Sequence, residues 1–263
     1  MALPLIMVAP TGARRTKADH AALPMTIEEI AETAIACHQA GAGAIHAHVR
    51  DAQGGHLLDA SLYRRLLDLL AETVPGMAVQ VSTEAVGLYS AAEQMELVRQ
   101  LKPKAISAAL RELVPGSSDE PKASAFYRWC TDEGVDVQHI LYNEADVKRL
   151  ADLTQRGVVP AGSPSVIYVL GRYSVNQESA PDDLLPFLEA AKSLPGRPDW
   201  MVCAFGRGET ACLAAALKAG GKVRVGFENS LWNTDGSLAE SNAERVAEIR
   251  RVAVDLGRTE GIA

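Results

Sequence analysis

Two histidines spaced two residues apart, His46 and His48 in GAIHAHVRD (43–51), are the side chains of this chain best placed to do chemistry. The run around them reads as a strand, and a strand sends residues i and i+2 to the same face. Both imidazoles then converge, and neutral imidazole is the commonest metal ligand among side chains. Such a pair supplies two of the three protein ligands of an open, catalytic zinc site. The alternative, a core histidine held by a backbone carbonyl, suits one histidine better than two on one face. A third ligand is available in VRVGFEN (223–229), where Arg224, Gly226 and Glu228 share a face by the period of two and Gly226 leaves space between cation and carboxylate. A glutamate in such a place must bind a metal, pair with an arginine or be protonated. Glu228 as third ligand completes a His/His/Glu set with open coordination positions; the competing reading is an ion pair to Arg224 or Arg50.

Those side chains need rigid elements behind them. Apolar or β-branched runs read as strands at Leu5–Pro10, Ala44–Val49, Ala78–Thr83, Ala105–Leu110, Asp136–Tyr142, Ser165–Leu170, Trp200–Phe205 and Val223–Phe227. Stretches of helical period read as helices at Thr26–Ala40, Ser61–Glu72, Ala91–Leu101, Ala123–Glu133, Glu144–Thr154, Asp182–Ser193, Glu209–Ala219 and Ser241–Leu256. Thr26 and Glu29 have the spacing of a capping box, and Gly41, Gly134, Gly157 and Gly220 stand just past helices, where a left-handed residue is wanted. Eight such units in 263 residues, undivided by any linker, predict an α/β fold: one (β/α)8 TIM barrel forming a single domain over 1–263. Barrel chemistry sits at the carboxyl ends of strands. The polar residues there are His46, His48 and Arg50 after strand 2, Ser82, Thr83 and Glu84 after strand 3, and Ser107 and Arg111 after strand 4. His139 and Asn143 follow on strand 5, Arg172 on strand 6, Gly206 and Arg207 on strand 7, and Arg224, Glu228 and Asn229 on strand 8.

Composition narrows the partners. The chain is 48% hydrophobic, enough for one large core, yet no apolar run approaches the ~18 residues of a membrane span and residues 1–10 lack the charged start of a signal peptide. A cytoplasmic protein is expected. Cys37, Cys130, Cys203 and Cys212 have no CxxC spacing and read as reduced, buried small hydrophobes. A net charge of −7 argues against nucleic acid or an anionic membrane, so an anionic substrate must be held by local groups such as a metal or an arginine. His20, His38 and His56 are expected at the surface, and Trp129, Trp200 and Trp232 in packing roles.

The segments TGARRTKADHAALPMTIEEIA, GAGAIHAHVRDAQG, VQVSTEA and GGKVRVGFENSLWNTDGSLAESNAERV span nearly the whole chain and resemble those of the β-keto acid cleavage enzymes. HxHxRD together with RVGxE is the specific pair. The resemblance implies a zinc-dependent barrel, a homo-oligomer of two or four chains, that cleaves a β-keto acid with acetyl-CoA to give acetoacetate and a new acyl-CoA. It implies zinc on His46, His48 and Glu228, substrate contacts from Ser82 and Ser107, and Arg224 as catalytic arginine. Coenzyme A is expected near the loops after strands 7 and 8, the usual phosphate region of barrels, where Gly206 and Arg207 offer backbone room and charge. The alternative for Arg207 is a solvated surface position.

Two positions depart from the family pattern. A glutamate in its best-known member is replaced by Arg14, which follows strand 1 in the loop APTGARR and so should face the barrel mouth. Arginine there disfavours an ammonium-bearing substrate and favours an anionic or uncharged polar tail; the alternative is that Arg14 points to solvent and that Arg15 or Lys17 shares its role. An aspartate thought to act with the arginine as a base is replaced by Asn229, which takes no proton; that role moves to Glu84, to water or to a relay centred on Arg224, or else the activity differs. A metal-dependent hydrolase of amidohydrolase type is the alternative function. It uses an HxH strand too, but places it on strand 1 and adds histidines on strands 5 and 6, where this chain offers only His139. A non-catalytic binding barrel is a third possibility on fold grounds alone.

Overall fold

Each apolar run forms a strand, and the strands pair in parallel because a helix follows each one and carries the chain back across the sheet. A computed structural model describes residues 3–260. The strands are β1 (Ile6–Val8), β2 (Ala44–Ala47), β3 (Ala78–Ser82), β4 (Ala105–Ala109), β5 (Asp136–Leu141), β6 (Ser165–Leu170), β7 (Asp199–Ala204) and β8 (Lys222–Val225). They neighbour one another in chain order, and β8 closes on β1, making an eight-stranded barrel. The expected (β/α)8 TIM barrel is therefore the observed one.

Besides a single α-helical turn at Leu110–Leu113, the helices are α1 (Ile27–Ala40), α2 (Ala60–Thr73), α3 (Ala91–Leu101), α4 (Glu120–Glu133), α5 (Glu144–Gln155), α6 (Leu185–Ala191), α7 (Glu209–Lys218) and α8 (Asn242–Asp255). Thr26 and Glu29 form the capping box expected for α1, and Ser90 with Glu93 forms another at α3. Helix α2 starts one residue earlier than its period suggests, because Asp59 rather than Ser61 accepts the orphan amide of Leu62. Apolar side chains pack in two places. Residues such as Ile45, Leu66, Val98, Phe126 and Leu150 fill the layer between strands and helices, while Met7, Ile140, Ile167, Met201 and Phe205 fill the barrel interior. Each fully buried side chain of this size contributes roughly 1.5–3 kcal/mol. All four cysteines are buried and free, as expected.

Most strands stop a residue or two short of the expected run, and two of these early ends build the active face. The run expected to continue from β2 through Val49 breaks after Ala47, and Val49–Arg50 pairs antiparallel with His56–Leu57. Asp51 drives this hairpin, its carboxylate accepting the amides of Gln53 and Gly55. Strand β8 ends at Val225 instead of Phe227, since Gly226 turns to a left-handed φ of 140°. Its missing Cβ does not leave open space between Arg224 and Glu228. A Cβ there would stand 2.5 Å from the Ala9 carbonyl oxygen, so the glycine allows two backbones to touch.

Candidate metal centre and active site

His46 and His48 bring their Nε2 atoms to 3.1 Å at the carboxyl end of β2. Across the barrel mouth, Glu228 aims Oε2 at both, 3.7 Å from His46 and 3.6 Å from His48. Ligand atoms about 2.1 Å from a tetrahedral ion stand roughly 3.4 Å from one another, so these three separations suit one divalent metal. Among the described residues this is the one group of His, Cys, Asp or Glu with such geometry. Glu228 Oε2 is buried without a hydrogen-bond partner, whereas Oε1 accepts from Arg224 Nη2 at 3.0 Å. One carboxylate thus serves both the ion pair and the histidines.

The imidazole tautomer follows from a chain of amides. Gln138 Nε2 donates to the Val166 carbonyl at 3.4 Å, and a carbonyl only accepts, so Gln138 Oε1 is left to accept from Gln80 Nε2 at 3.0 Å. Gln80 Oε1 then accepts from His46 Nδ1 at 2.9 Å, which puts the imidazole proton on Nδ1 and turns the Nε2 lone pair to the site. Burial first, and Arg224 second, push the His46 pKa well below the histidine range, so the ring is neutral as a ligand requires. Burial opposes ionisation of Glu228, but its neighbours, Arg224 foremost, outweigh it and hold its pKa well below the usual carboxylate range.

Glu228 owes its position to the turn after β8. Its amide donates to the Ala9 carbonyl at 3.0 Å, and the amides of Asn229 and Ser230 return to the Gly226 carbonyl. Asn242 braces this turn from α8, accepting from the Phe227 amide at 2.8 Å and donating to the Pro10 carbonyl. The turn, not the strand period, is what brings Arg224 and Glu228 together. Arg50 does not pair with Glu228. Its guanidinium donates to the carbonyls of Gly12, Arg15 and Gly54, clamping the loop after β1 over the site.

Over this centre lies a solvent-open cavity whose walls include His46, Ser82, Glu84, Arg14, Arg224 and Glu228. A beta-keto acid cleavage enzyme family model matches residues 4–260. The chain belongs to that family. It is 29% identical to a 3-keto-5-aminohexanoate cleavage enzyme of Fusobacterium nucleatum, over 97% of this chain and 92% of that protein. It is 24% identical to a 3-oxoadipate:acetyl-CoA acetyltransferase of Cupriavidus necator, over 97% and 89%. Among solved structures, the apo structure of ObcA superposes with a TM-score of 0.71 at 19% identity, covering 90% of this chain but 63% of ObcA. As a member of the family the protein is an acyl-transferring enzyme that breaks a carbon–carbon bond.

In this beta-keto acid cleavage enzyme the residues singled out by sequence are not all in the cavity wall. Arg14 reaches it as its loop position suggests, half-exposed, with Glu84 at 3.7 Å. Ser82 accepts the Glu84 amide at 3.2 Å, leaving its own O–H free to donate. Ser107 pairs in register with Ser82 on the neighbouring strand, and its buried hydroxyl has no partner. Asn229 is fully buried, and neither polar atom of its side-chain carboxamide is hydrogen-bonded. At Gly206 a Cβ would stand 2.4 Å from the Glu178 carboxylate, so the room there is already taken by the loop after β6. Arg207 is exposed, with its guanidinium 3.5 Å over the Trp232 ring, which gives Trp232 a contact beyond core packing.

Two histidines lie elsewhere than expected. His56 is buried, not at the surface, because the hairpin folds it against His48, with ring centroids 5.4 Å apart, and its Nε2 donates to the Glu84 carbonyl at 2.7 Å. His139 lies beside Tyr127 of α4, 5.3 Å between ring centroids, while its neighbour Gln138 bonds Gln80 inside the barrel. His139 therefore faces the helices and not the mouth, which removes the strand-5 ligand of the hydrolase alternative.

Gln80 and Gln138 were missed, although Gln80 stands two residues before Ser82 and so shares its inward face. Gln80→Leu keeps the size of the side chain but deprives His46 Nδ1 of its acceptor. Metal affinity is expected to fall by about 10- to 100-fold, measured by competition with a chromophoric chelator. Unchanged affinity would mean that the amide chain does not orient His46.

Proposed function

We propose that the protein exchanges acyl groups between a β-keto acid and acetyl-CoA, with zinc on His46, His48 and Glu228. The observation that carries this reading is the divided carboxylate of Glu228, one oxygen on Arg224 and the other turned to the histidine pair. Zinc held there supplies Lewis-acid polarisation of a keto oxygen. The bond between C2 and C3 of the keto acid breaks, the two-carbon fragment takes the acetyl group and leaves as acetoacetate, and the thiol of coenzyme A takes the remaining acyl group.

The chain's own residues do the rest. Arg224, buried and fixed by Glu228 and Cys203, holds positive charge where the substrate carboxylate or a developing enolate would sit. Ser82 donates to an oxyanion, with Ser107 beside it on the next strand. Asn229 takes no proton, and Glu84 is the cavity's remaining carboxylate once Glu228 is assigned to the metal, so Glu84 moves the proton. Arg14 meets the far end of the substrate at the rim and disfavours an ammonium there. Arg207 lies on the strand-7 side, where it would meet the phosphates of coenzyme A. The test is to incubate the zinc-loaded protein with acetyl-CoA and a panel of β-keto acids and to follow products by mass spectrometry. Acetoacetate and a new acyl-CoA in equal amounts are expected; hydrolysis of an amide or lactone without coenzyme A would support the other reading.

A further inference from the structure

Counting charge around the cavity exposes a cation that the proposed chemistry does not use. Its walls carry four arginines, Arg14, Arg15, Arg172 and Arg224, against two glutamates, Glu84 and Glu228. Arg224 is matched by Glu228 at 3.0 Å and Arg14 by Glu84 at 3.7 Å. Arg15 is committed to the carbonyls of Phe227 and Asn229. Of the four, only the Arg172 side chain has no hydrogen bond or ion pair to a described residue; its guanidinium lies 5.3 Å over the Phe205 ring and 5.7 Å over that of Tyr173. An arginine held over aromatic rings keeps its N–H donors free, and five N–H groups in a rigid fork fit a carboxylate.

The surrounding loop is built to hold a second polar group beside it. Gln177 lines the same cavity, and its Nε2 donates to the Arg172 carbonyl at 3.2 Å. Asn176 and Gln177 both adopt left-handed φ, 58° and 53°, which side-chain-bearing residues rarely do and which tertiary packing must enforce. Three glycines let the neighbouring backbone pack this closely. A Cβ on Gly171 would meet the Glu178 carbonyl oxygen at 2.9 Å, one on Gly206 the Gln177 carbonyl oxygen at 2.6 Å, and one on Gly208 the Ser179 carbonyl oxygen at 2.0 Å. The loop after β6 is pressed against β7 and the start of α7 by close backbone contacts. Burial lowers the Arg15 pKa against the opposing pull of Glu209, Asp19 and Glu228, and Arg172 adds a smaller lowering, so the two guanidinium groups feel each other.

We infer that Arg172, assisted by Gln177, binds a carboxylate at the end of the substrate distant from the metal, which makes the preferred substrate a β-keto diacid. The inference rests on the acyl-exchange reading and names its substrate class. Arg14, neutralised by Glu84, plays the lesser part in choosing the tail. The same guanidinium chemistry fits a phosphate of coenzyme A, and the test separates the two sources.

Binding is measured first, by calorimetry on zinc-loaded protein without acetyl-CoA, using 3-oxoadipate and its ω-amide, which differ only in the charge of the tail. Native protein is expected to bind the diacid at least about tenfold more tightly, as suits a hydrogen bond to a charged group. Arg172→Met should erase that ratio, Arg172→Lys should retain part of it, and Arg14→Gln should move it less than Arg172→Met does. The KM for acetyl-CoA should stay the same in Arg172→Met. Equal losses for diacid and amide, a larger effect from Arg14→Gln, or a rise confined to the acetyl-CoA KM would each overturn the assignment. Selective binding of the diacid without acyl-CoA formation would remove the acyl-exchange reading and leave the tail site standing. Acyl-CoA formation with an unchanged ratio in Arg172→Met would do the reverse.

Discussion

Replacing His46 by alanine is expected to leave the barrel folded while stripping it of both metal and activity. His46 contributes one of three donor atoms that lie 3.1–3.7 Å apart, and two donors cannot hold a zinc ion against free chelators. A site that polarises a carbonyl through its metal loses several kcal/mol of stabilisation when the metal goes, on the order of a thousandfold in rate. The fold should tolerate the change. Gln80 loses its partner on one side but keeps its bond to Gln138, and one unsatisfied amide oxygen costs about 1–3 kcal/mol. The measurements are metal content by atomic emission, circular dichroism for the fold, and turnover with acetyl-CoA. Full metal occupancy in the folded variant would falsify the ligand assignment.

That assignment was legible because metal ligation needs few residue types at fixed spacing. HxH on a strand is nearly a geometric statement in itself, and eight alternating runs leave little choice of fold. The partner from β8 was found for a reason that proved only partly right. Period-two alternation places Glu228 beside Arg224 on paper, yet the strand stops at Val225 and a turn braced by Asn242 makes the contact instead. Residues acting through backbone turns left no period to follow. His56 enters the site only because Asp51 closes a hairpin, and Arg172 becomes distinctive only when the partners of the other three arginines are known. Charge matching is a property of the assembled cavity, and no single segment contains it.

Arg224→Ala should keep its zinc and lose most of its rate, a combination that separates catalysis from scaffolding. The guanidinium is buried and bonded to Glu228 at 3.0 Å, so in a metal-free protein its removal would strand a buried carboxylate, which costs about 3–5 kcal/mol. With the ion bound, that carboxylate is still compensated through Oε2, and the folded state should survive. What would disappear, on the proposed acyl-exchange reading, is a fixed positive charge beside the reacting carbons. In a site that excludes water, such a preorganised group contributes about 3–4 kcal/mol to the transition state, on the order of a hundred- to a thousandfold in kcat. Steady-state kinetics and thermal melting on zinc-loaded protein should therefore show a large fall in kcat with a modest change in Tm. Added guanidinium ion, small enough to enter the vacated space, should restore part of the rate. A variant that melts much earlier yet retains its kcat would place Arg224 in the scaffold, and the charge that catalysis needs would have to come from Arg15 or Arg172, the other arginines lining the cavity without a carboxylate partner.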